Sequence, residues 1–220
     1  MPVQTYAFDV YGTLIDTDGV LKSLRQITGD QAEQVSATWR SKQLEYSFRH
    51  GLMQQYMPFP LVTAEALNYA LAVHKIRLTE SEYEILLDSY QDLPAFPDAL
   101  AAIKALAGGA QKLFAFSNGP KSIVSALLEQ AQLLSYFDGV VSVEATQVFK
   151  PSPVVYQYFA EMAQTSISAC ALVSGNSFDV LGAKAAGMQS IWVQRDAQAV
   201  FDPWGVSPDR SIKDLGGLVT

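Results

Sequence analysis

Tyr6-Ala7-Phe8-Asp9-Val10-Tyr11-Gly12-Thr13-Leu14 is an apolar run that ends in an aspartate and passes into a Gly-Thr turn. A short buried strand that closes on a carboxylate places it at the strand's C-terminal edge, where open α/β sheets keep their sites. Gly12 permits a sharp turn, and the Thr13 hydroxyl is near enough in sequence to hydrogen-bond the carboxylate. An aspartate opening a turn is ordinary by itself, because Asp favours turns. The rest of the chain decides whether this one does chemistry.

Outward from that stretch, four more β-branched or aromatic runs read as buried parallel strands: Lys112–Phe116, Gly139–Val143, Ala169–Val173 and Gln189–Val193, after the first at Thr5–Val10. Helical patterns separate the later ones, at Pro97–Leu106, Ser122–Gln132, Pro153–Met162 and Val180–Ala186. Strands alternating with helices imply βαβ crossovers and a parallel sheet between two helical layers. Residues 16–93 break the alternation with four helical patterns, Val20–Ile27, Ala32–Phe48, Thr63–His74 and Glu80–Tyr90, and little strand signal. The expected fold is therefore α/β: a Rossmann-like three-layer α/β/α core over 1–15 and 94–220, with a helical cap inserted over 16–93. Met57-Pro58-Phe59-Pro60 reads as a loop between two cap helices, because a proline disfavours helix in the residue before it.

Composition bounds the partners. At 220 residues, with 49% apolar and 17% charged side chains, the chain suits one globular domain with a small insert. A net charge of -7 with no basic stripe argues against nucleic acid, and makes each Arg or Lys near an anionic substrate more telling. The single cysteine, Cys170, lies in an apolar run and reads as a buried inert thiol, so no internal disulfide forms. No signal-peptide pattern and no bilayer-length apolar run are visible, and the expected location is the cytoplasm.

Three further strand-then-polar-turn strings accompany the first. Ser117-Asn118-Gly119 follows the second strand and by itself could be a helix N-cap. Phe149-Lys150-Pro151 follows the third; a lysine before proline is held extended, which projects its ammonium. Ser174-Gly175-Asn176-Ser177-Phe178-Asp179 follows the fourth. In the insert, Trp39-Arg40-Ser41-Lys42-Gln43-Leu44 sets Arg40, Gln43 and Leu44 on one helix face. With Tyr11 two residues after Asp9, the set offers few hard oxygen ligands for magnesium.

The ordered strings resemble the motifs of the haloacid dehalogenase superfamily, whose nucleophile is the first Asp of Asp-x-Asp-Gly-Thr. This chain has Tyr11 where that string has its second Asp. In the superfamily's phosphatases the second carboxylate is the acid/base and magnesium binds beside the nucleophile. A tyrosine there is the pattern of the (S)-2-haloacid dehalogenases, which use no metal. The resemblance implies Asp9 as nucleophile beside Thr13, Ser117 hydrogen-bonded to the nucleophile or its ester, and Asn118 on the departing halide. It implies Lys150 neutralising the carboxylates, Tyr156 kept in the site, and Ser174, Asn176 and Asp179 orienting and activating water. From the cap string it implies Arg40 taking the halide, with Gln43, Leu44 and Phe59 bordering the substrate. Phe178 departs from the aromatic, often Trp, that the dehalogenases carry before the Asp, and lacks its indole N–H.

The activity so implied is hydrolysis of short (S)-2-haloalkanoic acids to (R)-2-hydroxy acids and halide through an aspartyl ester, with no metal or other cofactor. The substrate carboxylate is expected on Ser117, Lys150 and backbone N–H groups near Tyr11. The partners are the haloalkanoate, water and the released halide, and the family often forms homodimers. The alternatives are a phosphatase of the same fold acting on a small phosphate ester, and a non-catalytic binding protein.

Overall fold

The computed structural model describes residues 1–219. In chain order it runs β1 (Thr5–Asp9), α1 (Leu21–Thr28), α2 (Ala32–Leu52), α3 (Phe59–His74), α4 (Glu80–Ser89), α5 (Ala99–Leu106), β2 (Lys112–Ser117), α6 (Lys121–Gln130), β3 (Gly139–Ser142), α7 (Pro153–Met162), β4 (Cys170–Ser174), α8 (Ser177–Ala186), β5 (Gln189–Val193) and β6 (Arg210–Ile212). Among the described residues the strands form one sheet in the order β3-β2-β1-β4-β5-β6, and every neighbouring pair is parallel.

Side-chain alternation sorts the two faces. Phe8, Leu113, Ala115, Val173 and Ile191 belong to one apolar cluster, which Ile103 of α5 and Val124 and Leu127 of α6 complete. Ala7, Phe116, Leu172 and Cys170 belong to the other, filled by Val155 and Phe159 of α7 and Ala183 of α8. Burial on both faces is what makes these strands read as near-continuous apolar runs. The chain winds from β1 through β2 to β3, then returns past β1 to β4 and β5, so the strand order reverses between β1 and β4. That reversal opens a crevice beyond the strands' C-terminal ends, and Asp9 and Ser174 are the last residues of the two strands that flank it.

The helical insert leaves and re-enters the core through one antiparallel junction. Ile15 bridges Ala95, the Asp16 N–H donates to the Pro94 carbonyl at 2.8 Å, and the Phe96 N–H donates to the Leu14 carbonyl at 2.9 Å. Within the insert α2 packs along α3, where the buried Trp39 indole donates to the Thr63 carbonyl at 2.8 Å and its ring meets Tyr90 edge-on at 4.7 Å.

Three expectations need correction. Met57–Pro60 is not all loop: α3 begins at Phe59, with Pro58 as its N-cap and Pro60 inside the first turn. The missing proline N–H costs nothing there, since first-turn donors have no partner within the helix. Helix α8 begins three residues earlier than the apolar pattern indicates, which puts Asp179 in its first turn. The strand β6 has no sequence signal, because Arg-Ser-Ile is short and largely exposed, as a protected edge strand is. Among the described residues, no helix is long and apolar enough to cross a membrane.

Candidate active site

Asp9 ends β1 and is almost wholly buried, so its charge survives only if it is surrounded by donors. Oδ2 accepts from the Thr13 hydroxyl at 2.7 Å, the Asn176 amide at 2.8 Å and the Ser174 hydroxyl at 3.2 Å. Oδ1 accepts from the Lys150 ammonium at 3.1 Å. The carboxylate is thus asymmetric: one oxygen carries three neutral donors, while the other carries one cation.

Local geometry brings these donors in. Gly12 takes a positive φ of 79°, which turns the chain directly after the strand and points Thr13 back at Asp9. A side chain on Gly175 would collide with the Gly12 carbonyl oxygen, so only glycine lets the loops after β1 and β4 touch. The Thr13 hydroxyl joins them, accepting the Gly175 N–H at 2.8 Å while it donates to Asp9.

Lys150 lies behind Asp9, only 1% exposed, and follows Phe149 on the loop after β3. Its peptide to Pro151 is cis. The ammonium donates to Asp9 Oδ1, to Asp179 Oδ2 at 2.9 Å and to the Phe116 carbonyl at 2.9 Å. An ammonium has three donors, and all three are taken. Lys150 therefore reaches a substrate carboxylate only by releasing one of these groups, and Ser117, Asn118 and the Tyr11 hydroxyl are neutral donors at the cavity.

Asp179 is fully buried and accepts the Tyr156 hydroxyl on Oδ1 at 2.7 Å. Burial raises its carboxyl above the usual aspartate range, Lys150 opposes that and Asp9 adds to it. Burial pulls the Lys150 ammonium down, but Asp179 and Asp9 more than reverse this, and the group stays charged beyond its ordinary 10.5. Burial also pushes the Tyr11 hydroxyl up to about 12, with Tyr90 adding and Arg40 opposing, so it remains neutral.

A cavity of about 20 Å³ lies above Asp9, lined by Asp9, Tyr11, Arg40, Leu44, Phe59, Ser117, Asn118, Lys150, Asn176 and Phe178. Arg40, Leu44 and Phe59 come from the helical insert, and the others from the core. Arg40 donates to Gln43 Oε1 at 2.7 Å and reaches Asn176 Oδ1 at 3.4 Å, so it ties the insert to the loop after β4. It also lines an outer cavity of about 470 Å³ between α1 and α2, and thus stands as the wall between the two spaces.

Of the other named residues, Ser117 and Asn118 line the cavity, while Gln43, Thr13, Ser174, Tyr156 and Asp179 stand back from it. Gln43 is fully buried and donates to the Thr63 hydroxyl at 2.6 Å, so it orients Arg40 and does not border the cavity. The Ser117 hydroxyl accepts the Gly119 N–H at 3.0 Å, and among the described residues it makes no hydrogen bond to Asp9. Asn118 accepts the Lys150 backbone N–H through Oδ1 at 3.0 Å, which leaves its NH₂ as the donor for the cavity. Thr13, Ser174, Tyr156 and Asp179 support from beneath. Thr63 and Phe48 were not visible from sequence. Thr63 anchors Gln43, and Phe48 packs edge-on against Phe178 at 5.1 Å, across the insert–core boundary.

The donor set suits an anion more than a cation. Tyr11 is a hydroxyl where a second carboxylate would be needed, and Asp9 and Asp179 share a lysine ammonium. Among the described residues no group of three or more His, Cys, Asp or Glu side chains is placed to hold a metal.

A sequence model of the haloacid dehalogenase-like hydrolase family matches residues 3–187. The chain is 34% identical to an (S)-2-haloacid dehalogenase of Pseudomonas putida, over 99% of this chain and 96% of that one. It is 32% identical, with the same two coverages, to a haloacetate dehalogenase of Moraxella sp. (strain B). Its structure is similar to that of the L-2-haloacid dehalogenase from Xanthobacter autotrophicus with chloropropionic acid covalently bound, with a TM-score of 0.90 and 32% identity over 99% of this chain and 97% of that one.

Proposed function

Since the chain belongs to the haloacid dehalogenase-like hydrolase family, we propose that it is an (S)-2-haloacid dehalogenase acting on short 2-haloalkanoates. Residues 16–93 act as a cap that closes on a core formed by 1–15 and 94–220. The observation that carries this reading is Arg40: a cap guanidinium shares one small cavity with a carboxylate that has an uncrowded oxygen. A cation there, opposite a nucleophile, receives a leaving anion.

In this mechanism Asp9 Oδ1 attacks C2 from the side opposite the halogen. The C–O bond forms as the carbon–halogen bond breaks, and the halide leaves with the electron pair. Oδ2 is crowded by three donors, which leaves Oδ1 the freer nucleophile. Arg40 and the Asn118 NH₂ stabilise the charge that develops on the halide. Water then adds to the Asp9 carbonyl carbon and loses one proton to Asp179. The bond from that carbon to Oδ1 breaks, and the departing alkoxide takes the proton back from Asp179 to give a 2-hydroxy acid inverted at C2. The re-formed Asp9 carboxyl releases its remaining proton to solvent. Ser174 and Asn176, already on Oδ2, hold charge as the carbonyl becomes tetrahedral. The hydroxyl of Tyr11 and the side chains of Leu44, Phe59 and Phe178 enclose the short carbon chain. A cytoplasmic location and assembly as a homodimer are parts of the same proposal.

Halide release from chloroacetate and (S)-2-chloropropionate tests the proposal directly. Release is expected at an unchanged rate in excess chelator, because protein donors do what a cation would do. Activity lost to chelator and restored by magnesium, or faster turnover of a generic phosphate ester, overturns it in favour of phosphoryl transfer.

The pH profile follows from the buried groups. Asp179 must be ionised to take a proton, and its carboxyl is raised above 3.8, so the rate of ester hydrolysis falls on acidification earlier than an ordinary aspartate predicts. On the alkaline side Lys150 and Tyr11 keep their protons through 10.5, and neither causes a loss of rate below that pH. Stability carries the same signs. The folded pKa of Lys150 is raised, so its contribution is complete below 10.5 and fades only above it. Ionised Asp179 costs stability at neutral pH, a cost relieved as the pH falls through its raised value. A pH–rate profile with a matching alkaline limb near pH 8 contradicts this assignment.

A further inference from the structure

Arg195 lies just beyond β5, at the C-terminal edge of the sheet, and it touches none of the groups that line the cavity. Its Nε and Nη2 both donate to the Thr13 carbonyl, at 3.1 and 2.6 Å. Its Nη1 donates to both oxygens of Asp98, at 2.7 and 2.8 Å. Asp98 in turn accepts the Leu215 N–H at 2.7 Å, and the guanidinium lies over the Phe96 ring at 4.1 Å. One planar group thus grips the loop that carries Thr13 and the segment that returns from the cap. Only a guanidinium offers this many donors in a fixed plane.

Thr13 is the link to the chemistry. Its hydroxyl bridges the Gly175 N–H and Asp9 Oδ2 and makes the shortest of the four hydrogen bonds to that carboxylate, so the place of its backbone helps set where the carboxylate points. We propose that Arg195, braced by Asp98, is a positioning residue that aims the Asp9 nucleophile by holding the Thr13 carbonyl. The proposal rests on the dehalogenase reading for its assay, and goes beyond it in assigning this pair a part in the reaction. Phe96 and Asp98 lie on the segment by which the chain leaves the cap, so the pair also fixes the root of the cap junction against the nucleophile loop.

The test is a double-mutant cycle on halide release from chloroacetate, with Arg195→Lys, Thr13→Ala and the double variant. Lysine keeps the charge for Asp98 but cannot place two donors on one carbonyl in a fixed plane. Arg195→Lys is expected to lower kcat about tenfold to a hundredfold, the scale on which misplacing a reacting group by about 1 Å acts, with KM nearly unchanged. In the Thr13→Ala background the same change is expected to cost little more, because the two act through one path. An unchanged kcat with a lower Tm, or an equal loss in both backgrounds, overturns the proposal and leaves Arg195 a structural tie. If Arg195→Lys fails to fold, Asp98→Asn takes its place in the cycle under the same criteria. Inactive wild-type protein would count against the dehalogenase reading alone. The positioning role then stands or falls on a crystal structure of Arg195→Lys: Thr13 Oγ1 still 2.7 Å from Asp9 Oδ2 overturns it, and a displaced hydroxyl supports it.

Discussion

Asp9→Asn releases halide from chloroacetate at least about a thousandfold more slowly than the wild type, the scale on which removal of a nucleophile acts. An amide is a poor nucleophile at saturated carbon, and no neighbouring carboxylate can replace it, since Asp179 is fully buried and shared between Lys150 and Tyr156. The variant is expected to fold, with some loss of stability. Three donors converge on Oδ2, so the amide oxygen turns to them and its NH₂ is left against the Lys150 ammonium. Asp179 still neutralises that ammonium, which keeps the change short of an unpaired buried charge. Circular dichroism separates a folded inactive protein from an unfolded one. A single turnover in oxygen-18 water, with enzyme in excess, separates the covalent route from direct attack by water. By the ester route the first product carries unlabelled hydroxyl oxygen and the label remains in the peptide that contains Asp9. Label in the first product, with none in that peptide, excludes the ester and makes Asp9 at most a base.

Arg40→Ala lowers kcat about a hundredfold or more, because a donor aimed at charge that develops in the transition state is removed from a water-poor cavity. Some stability is lost as well, because the fully buried Gln43 Oε1 loses the Arg40 N–H it accepts, but the helix itself is kept. Alanine is the best helix former for the interior of α2, Gln43 keeps its bond to Thr63, and Trp39 keeps its own to the Thr63 carbonyl. Arg40→Lys restores a charge but not the fork that spans Gln43 and Asn176, and recovers only part of the rate. The loss should be largest for the poorest leaving group, since the residue acts on the halide. A folded Arg40→Ala variant with near-normal kcat removes Arg40 from the reaction and leaves it as the wall between the inner and outer cavities.

Much of this site is legible in the chain because its parts are local. Asp9, Ser117 and Ser174 each end an apolar strand, and strand ends of a parallel sheet share one edge. Arg40 and Leu44 are one helical turn apart, and the helical repeat alone puts them on one face. The helical insert shows itself as a break in the alternation of strands and helices. Tyr11 is legible as the absence of a carboxylate. Such features depend on residue type and on spacings of a few residues, and periodicity preserves them.

Which partner each polar group takes was decided only by the tertiary structure. Lys150 is identifiable in the chain as a cation near carboxylates, but that its three donors are all spent depends on Asp9, Phe116 and Asp179, which lie 141, 34 and 29 residues away. Gln43 shares a helix face with Arg40, yet its amide turns to Thr63 because α3 packs against that side of α2. The start of α3 at Phe59, despite two adjacent prolines, depends on first-turn geometry that the proline rule does not describe. Arg195 has only its place past a strand to mark it, and its partner Thr13 is 182 residues away. Local sequence determines which elements form and which side chains reach a common edge. The hydrogen bonds that aim them form between loops brought together by the sheet, and no spacing along the chain encodes that meeting.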